Sequence, residues 1–318
     1  MIARRRFAVC AGLLVSGFAK SKAPDTVSWV VPFSAGSAQD AIARLLSPQF
    51  TQSIGKNLII QNKTGAGGSV GASSVAKSPA DGHTFLLAAS SHHLSGALIP
   101  QLPYHPLNSF RAAAFLGFSE FVLVVSATLQ VASLGEFVKR VTALPGQMNF
   151  ASSSNGSATH VAMGTFLARA GLDMAHIPLK STGETVQELL AGRIHAAMLP
   201  TLTAHSLQAE SRLVSLALTN IERSVHLPQL PTVSELGYPG FEWTSWAGFL
   251  APKAVPEAMI QNFHNTMRSV LTDASVKNQL RAIGVSSSHI SPEQFDSLLS
   301  NHWNKAVDTI RRLKLQSS

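Results

Sequence analysis

The sequence predicts an α/β protein of two lobes, each a mostly parallel sheet flanked by helices. Apolar, β-rich runs recur as continuous stretches rather than strict alternations, the pattern of strands buried on both faces. Residues at helical spacing lie between them. This strand–loop–helix order runs once to about residue 125 and again from about residue 134. A late apolar strand and a helical C-terminal part follow.

The chain has 318 residues, 45% hydrophobic and 13% charged, enough apolar matter for a large core. It opens with MIARRR and an apolar run over 7–19, with Gly17 and Ala19 at −3 and −1 of a cleavage point. That is the layout of a secretory signal peptide, 1–19, and the run is too short to cross a bilayer that needs about 20 residues. Arg4-Arg5-Arg6-Phe7 also fits the core of a twin-arginine signal, although Ala3 stands where serine is usual. The only cysteine, Cys10, lies inside this leader, with Val9 where a lipoprotein box needs a small residue. The mature chain therefore has no disulfide or thiolate chemistry, as suits a bacterial periplasm.

Strands are expected over 27–33, 57–62, 84–89 and 121–125, then 148–151, 176–179, 194–199 and 214–219. Ile42, Leu45, Leu46, Phe50 and Ile54 mark the first helix, and 134–144, 159–172 and 184–190 read likewise. A loop rich in proline and glycine, 227–240, precedes the strand at 246–252. Helices over 256–283 and 292–315 have no new sheet to cover and are expected to pack back on the first lobe. The lobes are thus 27–125 with 245–318, and 126–244, with a cleft between them.

Net charge falls from +8 to +5 once Arg4, Arg5 and Arg6 are removed, and the remaining cations are scattered. No basic stripe interleaves with aromatics, so nucleic-acid binding lacks its footprint. A modest positive field favours anionic small molecules.

Ligands of open parallel sheets sit beyond the carboxyl ends of the strands, where helix starts offer unpaired N–H groups to anions. Three small, polar, glycine-bearing loops answer to this: 33–40, 62–72 and 150–160. A fourth, 89–95, follows a strand without glycine. The second loop, NKTGAGGSVGA, holds G-G-S-V-G, which by letters is a nucleophile elbow around Ser69. An elbow needs its serine straight off a strand, and Ser69 comes well after the strand ends near Asn62. Val70 breaks a dinucleotide fingerprint, and Gly71-Ala72 is not the end of a phosphate loop. Ser69 reads as a helix start, with a secreted serine hydrolase as the rival. The twelve histidines form no H-E-x-x-H, and no metal is expected. His160 reads as a ligand contact, a cap or a buried residue, and Asp40 as a dipole partner of the first helix or a ligand contact. Lys180 is either the cation for a carboxylate or a plain surface lysine.

As a set these loops resemble the receptors of tripartite tricarboxylate transporters, the Bug-type solute-binding proteins. The carriers are VPFSAGSAQD, QNKTGAGGSVGA, SPADGHTFLL, LPYHPL, NFASSSNGSATH, IPLKS, LPQLPTVSELGYPGFE and WAGFLAP. The resemblance implies a periplasmic-binding-protein (Venus-flytrap) fold hinged near 121–125 and 246–251. It implies no catalysis, no cofactor, a monomer, and a small organic carboxylate held partly through ordered water for a membrane permease or a sensor. Contacts carried over are Ala35, Gly36, Ser37 and Asp40, then Gly65, Ala66, Gly67 and Gly68, then Ser90, Ser91 and His92. From the second lobe come Ser153, Asn155, Gly156, Ser157, Thr159 and His160, with Lys180 and the turn at Leu199, Pro200 and Thr201 beyond. Ser34 and Thr64 replace a usual proline, and Ser37 and Ser154 a usual glycine; serine at 154 is expected to alter a turn that needs positive φ. Leu199 and His105 replace usual aspartates, and the loss at Leu199 argues for a plain organic acid over an amino acid. A receptor fold kept as a sensor or scaffold without ligand is the second rival.

Overall fold

The structure, a computed structural model, describes residues 26–312, so the expected signal peptide lies outside the described residues. In chain order the first elements are β1 (Thr26–Val31), α1 (Ala38–Ile54), β2 (Asn57–Asn62), α2 (Ser69–Ala76), β3 (Thr84–Ala89), α3 (Ser90–Leu98) and β4 (Phe110–Ser119). The second group is β5 (Phe121–Ser126), α4 (Leu134–Ala143), β6 (Asn149–Ser152), α5 (Ala158–Ala170), β7 (Ala175–Pro178), α6 (Thr182–Leu190), β8 (Ala196–Pro200), α7 (Thr201–Ser206) and β9 (Leu213–Leu218). The chain then adds β10 (Ser245–Pro252), α8 (Glu257–Thr272), α9 (Ala274–Ala282), β11 (Val285–Ser286) and α10 (Pro292–Arg312).

The strands form a six-stranded sheet ordered β11-β4-β10-β3-β1-β2 and a five-stranded sheet ordered β7-β6-β8-β5-β9. β5 pairs antiparallel with β8 and β9. The chain therefore crosses at Glu120, and residues 121–125 belong to the second sheet rather than closing the first lobe as expected. The late strand does return to the first sheet, where β10 runs antiparallel between β3 and β4. β4 itself was not anticipated. Its FRAAAFLGFS carries three alanines, which read as readily as helix, and only burial between β10 and β11 selects the strand.

Register fixes where the loops go. β1, β2 and β3 are parallel, and Ala247 near the start of β10 pairs with Ala89 at the end of β3. Ser245 likewise pairs with Ser119, the last residue of β4. In the second sheet Phe121, the first residue of β5, pairs with Pro200, the last of β8. Both crossings thus lie at strand carboxyl ends, and the strand-to-helix loops of the two sheets face each other. Thr219, fully buried, ties the crossings together. Its N–H donates to Phe121 O at 2.9 Å and its O accepts from Trp243 N at 2.8 Å. Its Oγ1 accepts from Phe121 N at 3.2 Å and donates to Trp243 O at 2.6 Å.

The first core packs Trp29 against Phe50 and Phe249, ring centroids 4.8 and 4.5 Å apart, beneath α1 and α8. Each such buried aromatic contributes on the order of 1.5–3 kcal/mol. On the other face Phe115 and Trp246 pack on Phe295 of α10, so the C-terminal helices cover the first sheet as expected. α1 continues through Pro48, which cannot donate to Arg44 O; the Ser47 hydroxyl donates to that carbonyl instead, at 3.1 Å.

Thr219→Val keeps the shape of the node and removes its hydroxyl. The expected result is a loss of about 1–3 kcal/mol in denaturant unfolding, since Phe121 N–H and Trp243 C=O lose a buried partner.

Candidate functional site

Three loops and the first turns of α3, which stands where a fourth loop was expected over 89–95, meet at the facing carboxyl edges. In the first, Ala35 and Gly36 are exposed, and Ser37 caps α1 by accepting from Asp40 N at 3.2 Å. Asp40 lies beneath the loop, nearly fully buried. Its Oδ2 accepts from Gly36 N and Arg44 Nε, both at 2.9 Å, and its Oδ1 from Asn62 Nδ2 at 3.0 Å. Asn62 Nδ2 also donates to Phe33 O at 3.0 Å, so one amide and one carboxylate clamp the loop to the end of β2. The Arg44 guanidinium, with the Gly36 and Asn62 donors, holds Asp40 down at about 2 against its burial. Asp40 is thus a loop anchor whose oxygens are already engaged, and it bears on the cleft through Gly36.

In the second loop Gly65, Ala66, Gly67 and Gly68 all have positive φ, at 129°, 44°, 63° and 94°. Only the run of glycines makes so tight a bare-backbone turn accessible, and Ala66 is carried in it as a strained residue. The Ser95 hydroxyl of α3 donates to Gly67 O at 3.0 Å. Ser69 follows as the first residue of α2, buried and in ordinary helical dihedrals (φ −66°, ψ −28°), so it is a helix start and not a strained elbow.

At the start of α3 the buried Ser90 hydroxyl accepts from Trp246 N at 2.9 Å and so braces the returning strand. His92 Nε2 donates to Pro106 O at 2.8 Å, and burial pushes the ring down to about 4, so it is neutral. Ser91, His92, Ser95, Tyr104, Gly67 and Ser69 line a cavity of about 10 Å³, room for one water.

In the third loop Ser157 caps α5, accepting from His160 N at 3.3 Å. Thr159 Oγ1 accepts from Ser153 N at 3.2 Å and lies 3.1 Å from Ser157 Oγ. Asn155 sits between them and is itself partnered. Positive φ falls on Gly156, at 69°, and not on Ser154, so the serine there costs the turn nothing. Gly156 N donates to His160 Nδ1 at 3.1 Å, which leaves the proton of the neutral ring on Nε2. His160 stacks on His176 with centroids 3.6 Å apart, and His176 Nε2 donates to Ser152 Oγ at 2.8 Å. Burial, with the neighbouring His176, pushes His160 down to about 3; burial pushes His176 down to about 4. His160 is therefore a buried member of the loop's frame.

Lys180 is exposed past the end of β7, the outer strand of its sheet. Its backbone N–H donates to Glu184, whose own N–H is capped by Ser181. The Thr201 N–H donates to Glu120 O at 3.0 Å at the crossing, while its buried Oγ1 has no protein partner. Leu199 packs in an apolar cluster with Val122 and Leu218.

One contact was invisible in the sequence. Leu98, at the end of α3, sits against Gly156 so closely that any Cβ there would overlap Leu98 Cδ1. Leu94 and Leu98 pack with Val161 of α5 and with Ala306 and Ile310 of α10, a seam joining the two lobes. The sequence places no helix over 90–98, and nothing local says what Leu94 and Leu98 would meet. Chemically, the loops offer hydroxyls, neutral imidazoles and the starts of α1, α2, α3 and α5, whose partial positive charge suits an anion without a fixed cation.

The model of the family described as tripartite tricarboxylate transporter family receptor matches residues 42–315. The chain belongs to this family. It is 30% identical over 309 residues to Protein BugT of Bordetella pertussis, covering 96% of this chain and 94% of that protein. It is also 30% identical over 285 residues to a protein encoded in the tcbD-tcbE intergenic region of a Pseudomonas strain, covering 88% and 85%. Among solved structures, an R. palustris protein with adipate superposes with a TM-score of 0.83 at 26% identity, covering 92% of this chain and 98% of that one. MatC from Rhodopseudomonas palustris with bound malate gives 0.79 at 26%, covering 90% and 98%. The fold is thus that of the two-lobed periplasmic binding proteins, and this receptor is a solute-binding protein.

The stacked histidines give this receptor a pH signature. Their folded values lie below the ordinary 6.5, so the unfolded chain binds more protons between about 6.5 and 4. Stability is full above that window and falls as pH drops through it, by up to about 1.4 kcal/mol per pH unit for each histidine. His176→Phe keeps an aromatic ring against His160, and urea unfolding at pH 7, 6 and 5 should then show a shallower fall than the wild type.

Proposed function

We propose that the mature chain captures a small organic carboxylate between its lobes in the periplasm, without chemistry, and hands it to a membrane permease of the tripartite tricarboxylate type or to a sensor. The observation that carries this is the convergence of bare backbone at Gly36, at Gly65, Ala66, Gly67 and Gly68, and at Gly156 on facing edges, each beside a helix start. The relatives solved with adipate and with malate support a plain organic acid as the ligand class. In this reading the hydroxyls of Ser37, Ser91, Ser153, Ser157 and Thr201, with Asn155, complete the contacts. Lys180 serves the far end of a longer acid. A ligand that touches both lobes favours the closed arrangement in proportion to its difference in affinity for the two states.

A hydrolase is the weaker reading of the same loops. Ser69 shares its small cavity with His92, but His92 spends Nε2 on a backbone carbonyl and none of its hydrogen bonds is to a carboxylate.

The test is thermal unfolding with adipate, malate, other di- and tricarboxylates and aromatic acids. A ligand at 100 times its Kd should add about 2.7 kcal/mol. Gly156→Val combines an unfavourable φ with an overlap on Leu98 and should remove the ligand shift, while Ser69→Ala should keep it. No shift with any acid, or an ester hydrolysis lost in Ser69→Ala, would overturn the proposal.

A further inference from the structure

The first lobe holds a second cavity, of about 400 Å³, at the opposite edge of its sheet. It opens where β1 and β3 begin and lies under the end of α1 and the exposed face of α8. The six residues of β1 or β3 separate it from the cleft, on the order of 20 Å of strand. Its size falls within the range of small-molecule pockets.

Its accessible apolar wall is Ile54 and Met259, backed by a buried aromatic cluster. Phe85 stacks on Phe263 with centroids 3.8 Å apart, and Phe50 lies 5.2 Å from Phe263. Its mouth carries one ammonium, Lys56, whose Nζ donates to His83 Nε2 at 3.2 Å. The imidazole can accept there because its other nitrogen, Nδ1, donates to Asp81 O at 2.8 Å. Among the described residues no carboxylate lies within 4 Å of Lys56 Nζ, so a neutral lone pair is its strongest partner. The one acid in the lining, Asp81, turns into its own loop. Its Oδ1 accepts from His83 N at 3.0 Å and lies 3.5 Å from His83 Nδ1.

We infer that this cavity is a second binding site, for a monocarboxylate with an aromatic or short alkyl body. The body lies on Ile54 and Met259, and the carboxylate replaces the imidazole as the partner of Lys56. One cation with one acid nearby suits a single carboxylate; a second anionic end would meet the apolar wall or Asp81.

The probes are hexanoate and benzoate, with hexanamide as the uncharged control, titrated against the full exported chain by calorimetry and protein-observed NMR. Hexanoate is expected to bind the wild type and to bind Gly156→Val equally well. Lys56→Gln should weaken it about tenfold or more while leaving hexanamide unchanged. Asn262→Trp, which fills the exposed rim, should weaken both. Far-UV circular dichroism and the melting temperature establish that each variant is folded. The inference is overturned if neither acid binds at tens of millimolar, if Gly156→Val abolishes hexanoate binding, or if Lys56→Gln leaves it unchanged. The adipate and malate shifts of the cleft report on a different site, so either reading can fail alone.

Discussion

The arrangement depends on how the two sheets are joined. Thr219 hydrogen-bonds Phe121 on one crossing and Trp243 on the other, through both its backbone and its hydroxyl. With both crossings held at the carboxyl ends of the parallel strands, the loops that follow β1, β2, β3 and β6 are delivered to the same gap, while those after the antiparallel β5 and β10 leave at the far ends. A crossing at the amino ends would have sent the glycine-bearing loops to opposite poles of the molecule. The cleft is thus a consequence of register before it is a consequence of loop chemistry. The node is buried and fully hydrogen-bonded, so flexion between lobes must come from residues beside it.

Around the cleft the charged groups shape the loops and the uncharged ones face the gap. Asp40 is committed to Gly36, Arg44 and Asn62, and His92 and His160 are kept neutral by burial. A free carboxylate at the cleft would repel an anionic ligand, while a fixed arginine would add a full opposite charge to the attraction. Helix starts and hydroxyls occupy the middle ground. They lower the cost of desolvating a carboxylate, yet water can substitute for them when the ligand leaves.

Much of this was legible because it is local. Continuous apolar runs, helical spacing and glycine-bearing loops gave the α/β grammar and the loops of the cleft. What was not legible depends on partners distant in sequence. β4 is a strand because β10 and β11 flank it, although its alanines are neutral locally. β5 belongs to the second sheet because β8 and β9 pair with it, a choice its FVLVVS cannot express. Asp40 and His160 carry the same letters as ligand contacts, and only burial and hydrogen bonding show them as frame. Ser154 looked costly as a replacement for glycine, but the positive φ of that loop falls on Gly156.

Gly156 also explains how closely the lobes can meet. A side chain there would overlap the end of Leu98, which would have to turn aside, and would also sit at an unfavourable positive φ. The seam of Leu94, Leu98, Val161, Ala306 and Ile310 is buried, so apolar contact helps hold the lobes in the arrangement seen here. A ligand then has to supply only the difference between open and closed states. The last helix takes part because α10 returns from the first sheet to touch α5 of the second lobe through Ala306 and Ile310. The lobes are thus joined by an apolar seam that is separate from the polar loops at their facing edges. Shortening Leu98 would therefore loosen the contact between the lobes while leaving the hydroxyls and helix starts at their facing edges in place.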